Sequence, residues 1–392
     1  MDATADPMIR LEAVGKRYED GTVAVHELSL DVRRGEICVL VGPSGCGKTT
    51  TMRMINRLID PSSGRIVIDG EDVTHANPVQ LRRKIGYVIQ QVGLFPHQTI
   101  EANVATVPNL LGWKKDRTRV RVLELLELVG LDPGVYAKRY PHELSGGQRQ
   151  RVGVARALAA DPPVLLMDEP FGAVDPIARD RLQEEFLRVQ AEVGITVVFV
   201  THDIEEAVRL GDRIAVMRQG GYLEQYDTPA TVLGSPATPF VADFVGADRG
   251  LKRLAVTPVR SEDLEHPPVV RLDASAAEAD AVLVAAGVRW GVVLDVHGEL
   301  RGWVGRDRLA DGARVSDVVR RMEAWVGVDA PLKSALSTML QHDAGWVAVL
   351  DGDAFLGVLT PSTLHTALRR SVEADGTSSP PETIDIDSVA SV

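Results

Sequence analysis

The chain has 392 residues, 45% of them hydrophobic and 25% charged, with a formal net charge of -12. That length allows two or three domains with a sizeable core, and the acidic balance argues against a broadly basic nucleic-acid-binding surface. The two cysteines, Cys38 and Cys46, form neither a disulfide framework nor a zinc spacing, and they read as free thiols of a reducing compartment.

The first seven residues are short and acidic and lack the basic and apolar regions of a secretory signal. No apolar run approaches the ~20 residues needed to cross a bilayer, so any membrane role is expected to be peripheral and to depend on a partner. From about residue 8 to 246, short β-branched runs alternate with longer amphipathic stretches. Ile37–Val41, Val164–Met167 and Val197–Val200 are continuously apolar. Such runs suit strands covered on both faces, hence an α/β fold with a parallel sheet. Ligands of such sheets bind beyond the carboxyl ends of the strands, and each run here ends in a polar cluster.

The first cluster is Gly42-Pro43-Ser44-Gly45-Cys46-Gly47-Lys48-Thr49, which fits G-x-x-x-x-G-K-[ST]. A strand precedes it, and Thr50 opens a helical stretch to Leu58, the context that a phosphate loop requires. The glycines let the backbone curl so that successive N–H groups aim at phosphate oxygens, and the helix N-terminus adds positive potential. Lys48 is expected on the β- and γ-phosphates of ATP, and Thr49 on Mg²⁺. Asp168 and Glu169 end the second apolar run, 120 residues after Lys48. Asp168 is read as a Mg²⁺ residue and Glu169 as the group that polarises the attacking water. Between these sites lies Leu144-Ser145-Gly146-Gly147-Gln148, 100 residues after Lys48 and 20 before Asp168.

From about 250 to 370 the chain carries a weak repeat. Trp290 to Asp295 is echoed by Trp346 to Asp351, 56 residues later. Each copy reads strand, turn, strand, then a helical stretch, at Arg308–Ala310 and Thr363–His365, which implies a tandem module with pseudo-two-fold symmetry. After Arg370 no Lys or Arg remains, and the tail reads as disordered and anionic.

Over its first ~245 residues the chain resembles the ATP-binding-cassette (ABC) ATPases, a P-loop fold with a mixed sheet core and a helical subdomain. Leu144–Gln148 matches the family signature. Gln90 sits at the Q-loop, Asp175 at the D-loop, His202 at the switch histidine and Tyr18 where an aromatic stacks on adenine. The resemblance implies a homodimer in which two cassettes sandwich two ATP molecules head to tail. Ser145, Gly146, Gly147 and Gln148 of one copy would then meet the γ-phosphate held by Lys48 of the other. His202 would sense that phosphate, and Gln90 would link Mg²⁺ and water to the transport partner. For Tyr18 a packed surface aromatic stays open as the plainer reading. Cys46 is read either as a reactive thiol in the loop, open to alkylation, or as an inert small residue.

Val88–Ile100, Gln148–Pro162 and Met167–Pro176 are similar to ATPases of bacterial quaternary-amine importers, which move glycine betaine, proline betaine, choline or carnitine. The C-terminal repeat is similar to paired cystathionine-β-synthase (CBS) motifs carried by members of that group. The implied organisation is a cassette at 1–246 with its helical subdomain at about 90–160, an α+β tandem CBS-like module at 247–371, and an acidic tail at 372–392. The implied partners are integral membrane permease subunits and, indirectly, a substrate-binding protein, with the chain on the cytoplasmic face of the membrane. Gly302-Trp-Val-Gly305-Arg-Asp-Arg308 and Gly357-Val-Leu-Thr360-Pro-Ser-Thr363 lack the ribose-binding Asp of nucleotide-binding copies. Nucleotide sensing, ionic-strength sensing through the tail, and a ligand-free dimerisation module all stay open. So do an importer of another small solute and a soluble cassette ATPase of repair or translation, although one copy of each motif and no coiled-coil insertion argue against the last.

Overall fold

The computed structural model describes residues 6–89, 93–172, 174–310 and 312–373. Gln90 and the tail beyond 373 lie outside the described residues. The described chain divides into two compact units: residues 6–232 with 236–247, and residues 233–235 with 248–373.

The first unit begins with a hairpin of β1 (Ile9–Arg17) and β2 (Val23–Val32), followed by β3 (Ile37–Val41), β4 (Ser63–Ile68) and β5 (Glu71–Asp72). β1, β2, β4 and β5 form an antiparallel sheet in the order β2-β1-β4-β5. A second sheet takes β3 together with β6 (Ile85–Val88), β7 (Val164–Asp168), β8 (Thr196–Thr201), β9 (Arg213–Arg218) and β10 (Tyr222–Asp227), in the order β10-β9-β3-β8-β7-β6. All its pairs are parallel except the edge pair β9–β10. The central strands are the continuous apolar runs. All five residues of β3 and all six of β8 are buried. At about 1.5–3 kcal/mol for each fully buried Val, Leu, Ile or Phe, these strands hold the sheet in the middle of the unit. Between β6 and β7 the chain is helical, chiefly Lys115–Leu128 and Gly146–Leu158.

The second unit holds two three-stranded sheets: β11 (Val269–Arg271), β12 (Trp290–Leu294) and β13 (Leu300–Gly305), then β14 (Trp325–Gly327), β15 (Val347–Asp351) and β16 (Ala354–Leu359). In each, the first strand is parallel to the second and the second antiparallel to the third. Helix Ala276–Ala285 joins β11 to β12, and helix Leu332–Gln341 joins β14 to β15. The repeat is therefore β-α-β-β, with an opening strand and helix that the pattern of residues had not disclosed. The helical stretch expected at 308–310 is only a single turn, Arg306–Arg308, whereas its counterpart is the helix Pro361–Glu373. The repeated Trp290 and Trp346 stack on each other, ring centroids 4.6 Å apart and planes within 11°.

Candidate functional site

Parallel register brings the polar clusters together. Val41 at the end of β3 pairs with Thr201 at the end of β8, and Asp168 at the end of β7 pairs with Val200. The phosphate loop, the Asp168–Glu169 step and the turn holding His202 thus leave one edge of the sheet side by side.

The loop is built by backbone geometry. Gly42, Gly45 and Gly47 all have positive φ. A Cβ on Gly42 would lie 2.2 Å from the Met217 carbonyl oxygen, so only glycine lets the loop leave β3 so close to β9. Gly47 caps the helix Lys48–Ile55. The Lys48 ammonium curls back on the loop, donating to the carbonyls of Gly42 at 2.7 Å and Pro43 at 3.0 Å. Pro43, Ser44 and Thr50 line the same turn and first helical residues.

The Thr49 hydroxyl donates to Asp168 Oδ1 at 3.1 Å across 119 residues of sequence. Burial holds the Asp168 carboxyl above its ordinary pKa, opposed by the Thr49 hydrogen bond. Thr49 and Asp168 together present hard oxygen donors of the kind Mg²⁺ takes beside substrate phosphates. Glu169 adopts a left-handed backbone, φ 43°, with its N–H bonded to the Val200 carbonyl at 3.0 Å. A non-glycine residue in that region carries strain of about 1–3 kcal/mol and persists only where its surroundings enforce it. The turn brings Glu169 Oε1 within 3.2 Å of His202 Nδ1.

Ser145 caps the helix Gly146–Leu158. Its hydroxyl accepts from the Gln148 N–H at 3.2 Å, while Gln148 Oε1 accepts from the Ser145 N–H at 2.9 Å. The Gln148 amide also donates to the Tyr136 hydroxyl at 3.0 Å, so this side chain is committed to shaping the turn. Among the described residues, an added Cβ at Gly146 would meet nothing within 4 Å, and at Gly147 only Leu182 at 3.6 Å. Asp175 caps the helix Pro176–Val193, accepting from the Ala178 N–H at 3.0 Å. Tyr18 lies at the turn from β1 to β2, 42% exposed, with the Lys16 ammonium 5.4 Å from its ring centroid. Gln90, the remaining sequence candidate, falls outside the described residues.

Of the two readings left open for Cys46, packing favours the inert small residue. Its side chain is fully buried among core residues beneath the loop, 3.5 Å from Lys48 Nζ. Its side chain packs into the core, which fits the plainer reading of a small packing residue. Cys38 is buried too, and burial pushes its thiol up to about 12. A buried glutamate, Glu206, and its partner Gln183 escaped the sequence reading; Ile204-Glu205-Glu206-Ala207 looks like an exposed helix start, and only packing shows that one of the two acids is inside.

A phosphate loop, an acidic strand end and a glycine-led helix start, set on a parallel sheet with an antiparallel sheet beside it, define a P-loop ATPase of the cassette type. Family comparison agrees: the ABC transporter family matches residues 25–172 and the CBS domain residues 315–370, the second of the two β-α-β-β repeats. The chain is 45% identical to the glycine betaine/carnitine/choline transport ATP-binding protein OpuCA of Bacillus subtilis, covering 94% of this chain and 98% of that protein. It is 46% identical to the osmoprotectant import ATP-binding protein OsmV of Salmonella typhimurium, covering 88% and 92%. Among solved structures, the dimeric bacterial ABC transporter cassette MJ0796 superposes with a TM-score of 0.51 at 36% identity, over 57% of this chain and 99% of that one. The chain belongs to the ABC transporter ATP-binding proteins, in the group that includes these betaine, carnitine and choline transport members and carries a C-terminal CBS domain.

Proposed function

We propose that the chain hydrolyses ATP to drive import of a quaternary amine of the glycine betaine, choline or carnitine type. It would do so as a head-to-tail cassette dimer bound to permease subunits at the cytoplasmic face of the membrane. No helix among the described residues is long and apolar enough to cross a membrane, so a separate permease would form the path. The observation that carries the reading is the convergence of Lys48, Thr49, Asp168, Glu169 and His202 at one sheet edge.

The roles follow from position. The loop amides and Lys48 would hold the ATP phosphates. Thr49, Asp168 and Gln90 would hold Mg²⁺, which supplies charge neutralisation at the phosphates when bound. Glu169, partly exposed and beside His202, would polarise the attacking water, and His202 would touch the γ-phosphate. Tyr18 would stack on the adenine. Among the described residues, glycines at 146 and 147 have no steric cause, since a methyl group would fit at both. Close approach by something outside the chain supplies one, and the γ-phosphate held by a second copy fits, meeting the Ser145 hydroxyl and N–H groups at a helix N-terminus. Asp175 would face the same partner.

The amine class rests on likeness along nearly the whole chain. A spermidine/putrescine import ATP-binding protein, PotA of Thermobifida fusca, is 50% identical, but over only 62% of this chain, so the cassette alone does not separate the cargoes. The test is uptake of labelled glycine betaine, choline, carnitine and spermidine by the chain co-expressed with its permease. Uptake of one quaternary amine, lost in Glu169→Gln, is expected; transport of spermidine alone would overturn the amine class. For the C-terminal module and acidic tail, charge-based inhibition relieved by salt is a proposal of its own. Deleting residues 372–392 should flatten the dependence of uptake on ionic strength, and an unchanged curve would remove the tail from the account.

A further inference from the structure

Behind the hydrolytic edge lies a buried polar cluster with no part in the roles assigned so far. Its centre is Glu206, on the helix Ile204–Leu210, only 8% exposed. The Gln183 amide, on the neighbouring helix Pro176–Val193 and 3% exposed, donates to Glu206 Oε1 at 3.0 Å. Thr201, at the end of β8 and 2% exposed, sits beside the same carboxylate. Thr201 Oγ1 accepts from the Asp203 N–H at 3.0 Å. Asp203 in turn caps the helix, accepting from the Glu205 N–H at 2.8 Å. These bonds fix both residues that flank His202.

The other side of the cluster reaches the turn before Asp175. Arg179 Nη2 donates to the Val174 carbonyl at 3.1 Å, and the Arg179 N–H bonds the Asp175 carbonyl at 2.9 Å. Arg179 Nε is buried without a hydrogen-bond partner among the described residues, and its charge acts on Glu206. Burial pushes the Glu206 carboxyl above its ordinary pKa, while Thr201, Gln183 and Arg179 pull the other way. Leaving a carboxylate inside the protein costs stability unless it is paired and bonded, so the cluster calls for a reason beyond packing.

We infer that Glu206 is a positioning residue that ties the turn carrying His202 to the helix led by Asp175, so that the two loops move as one. The inference rests on the roles given above to His202 and Asp175. Glu206 touches no substrate. Its carboxylate accepts from Gln183 on the Asp175 helix while Glu206 itself sits on the helix that follows His202, so a shift of either loop strains this bond. A loop displaced where the second copy would dock is thereby reported at the switch histidine, and the reverse.

The experiment compares Glu206→Ala, Glu206→Gln and Gln183→Met in the full chain. The readouts are ATP affinity by a fluorescent nucleotide, steady-state hydrolysis and thermal melting. Because the phosphate loop is untouched, Glu206→Ala should keep ATP affinity within about twofold and lose between about tenfold and a hundredfold in kcat, the range that misplaced catalytic groups show. Glu206→Gln retains the shape and one acceptor and should recover part of the rate. Gln183→Met should show the same split between affinity and kcat in weaker form, which keeps the test open if Glu206→Ala fails to fold. Full kcat in Glu206→Ala or Gln183→Met would overturn the inference. So would affinity and kcat falling together with melting temperature, since that is the mark of a merely structural residue. Glu169→Gln is run alongside: if it hydrolyses ATP normally, the site assignment itself fails, whatever Glu206 shows.

Discussion

Gly47→Ala measures how tightly the phosphate loop is built. Gly47 has φ 94° and caps the helix Lys48–Ile55. The left-handed backbone costs a residue with a Cβ about 1–2 kcal/mol. The added methyl would lie 2.3 Å from the Ala24 carbonyl oxygen and 3.1 Å from Val25 Cγ2, both on β2. A backbone carbonyl cannot swing away like a side-chain end, so β2 or the loop must move, at about 1–3 kcal/mol for overpacking of this kind. The sum is about 2–5 kcal/mol. At about 2–4 °C per kcal/mol for a unit of this size, the cassette should melt roughly 4–20 °C lower. If the loop moves instead of β2, its amides turn away from the phosphates and ATP affinity falls. Scanning calorimetry and a fluorescent-nucleotide titration read both outcomes. Gly146→Ala is the control: no atom of the described residues lies within 4 Å of its Cβ, and alanine is the better helix former by up to about 1 kcal/mol. It should melt no lower than the parent and yet hydrolyse ATP poorly, since its methyl would stand where the second copy's nucleotide approaches. Gly47→Ala with unchanged melting and unchanged affinity would refute the steric reasoning.

Ser145→Arg should bind ATP nearly normally but fail to hydrolyse it or to form an ATP-dependent dimer by size-exclusion chromatography; normal turnover would remove Ser145 from the shared site. Asp168→Asn separates stability from activity. Burial raises the Asp168 pKa, so folding favours the protonated form, and the ionised group costs stability once the pH is above its ordinary value near 3.8. The Asn variant should therefore melt higher at neutral pH, with a gap that narrows on acidification, while its ATPase activity collapses; a gap that widens at low pH would contradict this. In the second unit, Arg370 donates to Asp263, whose side chain is 1% exposed, at 2.6 and 2.9 Å. Arg370→Ala should leave that carboxylate buried and unpaired, at a cost toward the lower end of about 3–5 kcal/mol because Arg370 itself is a third exposed. Trp290, Trp303, Trp325 and Trp346 all lie in this unit, so a fluorescence melt reads it, and an unmoved midpoint would refute the pairing's importance.

The loop at 42–49, the acidic step at 168–169 and the signature at 144–148 were legible because each is contiguous and its chemistry depends on residue type. Continuous apolar runs likewise disclosed β3, β7 and β8, since a strand buried on both faces has no polar alternation to hide. Short elements were not legible. β11 and β14 have three residues each, too few for any period to show, and the expected helix at 308–310 collapsed to one turn. Cys46 stayed undecided because a loop position does not say which way a side chain points.

By itself, then, the sequence disclosed the candidate ATP site, through local requirements that glycine, lysine, a hydroxyl residue and a strand-end acid meet. Tertiary structure decided the pairings. That Thr49 meets Asp168, that His202 meets Glu169, and that one of two adjacent glutamates turns inward to Gln183 depend on strand order and register. Those are set by packing between segments 23 to 119 residues apart, and no local pattern encodes them.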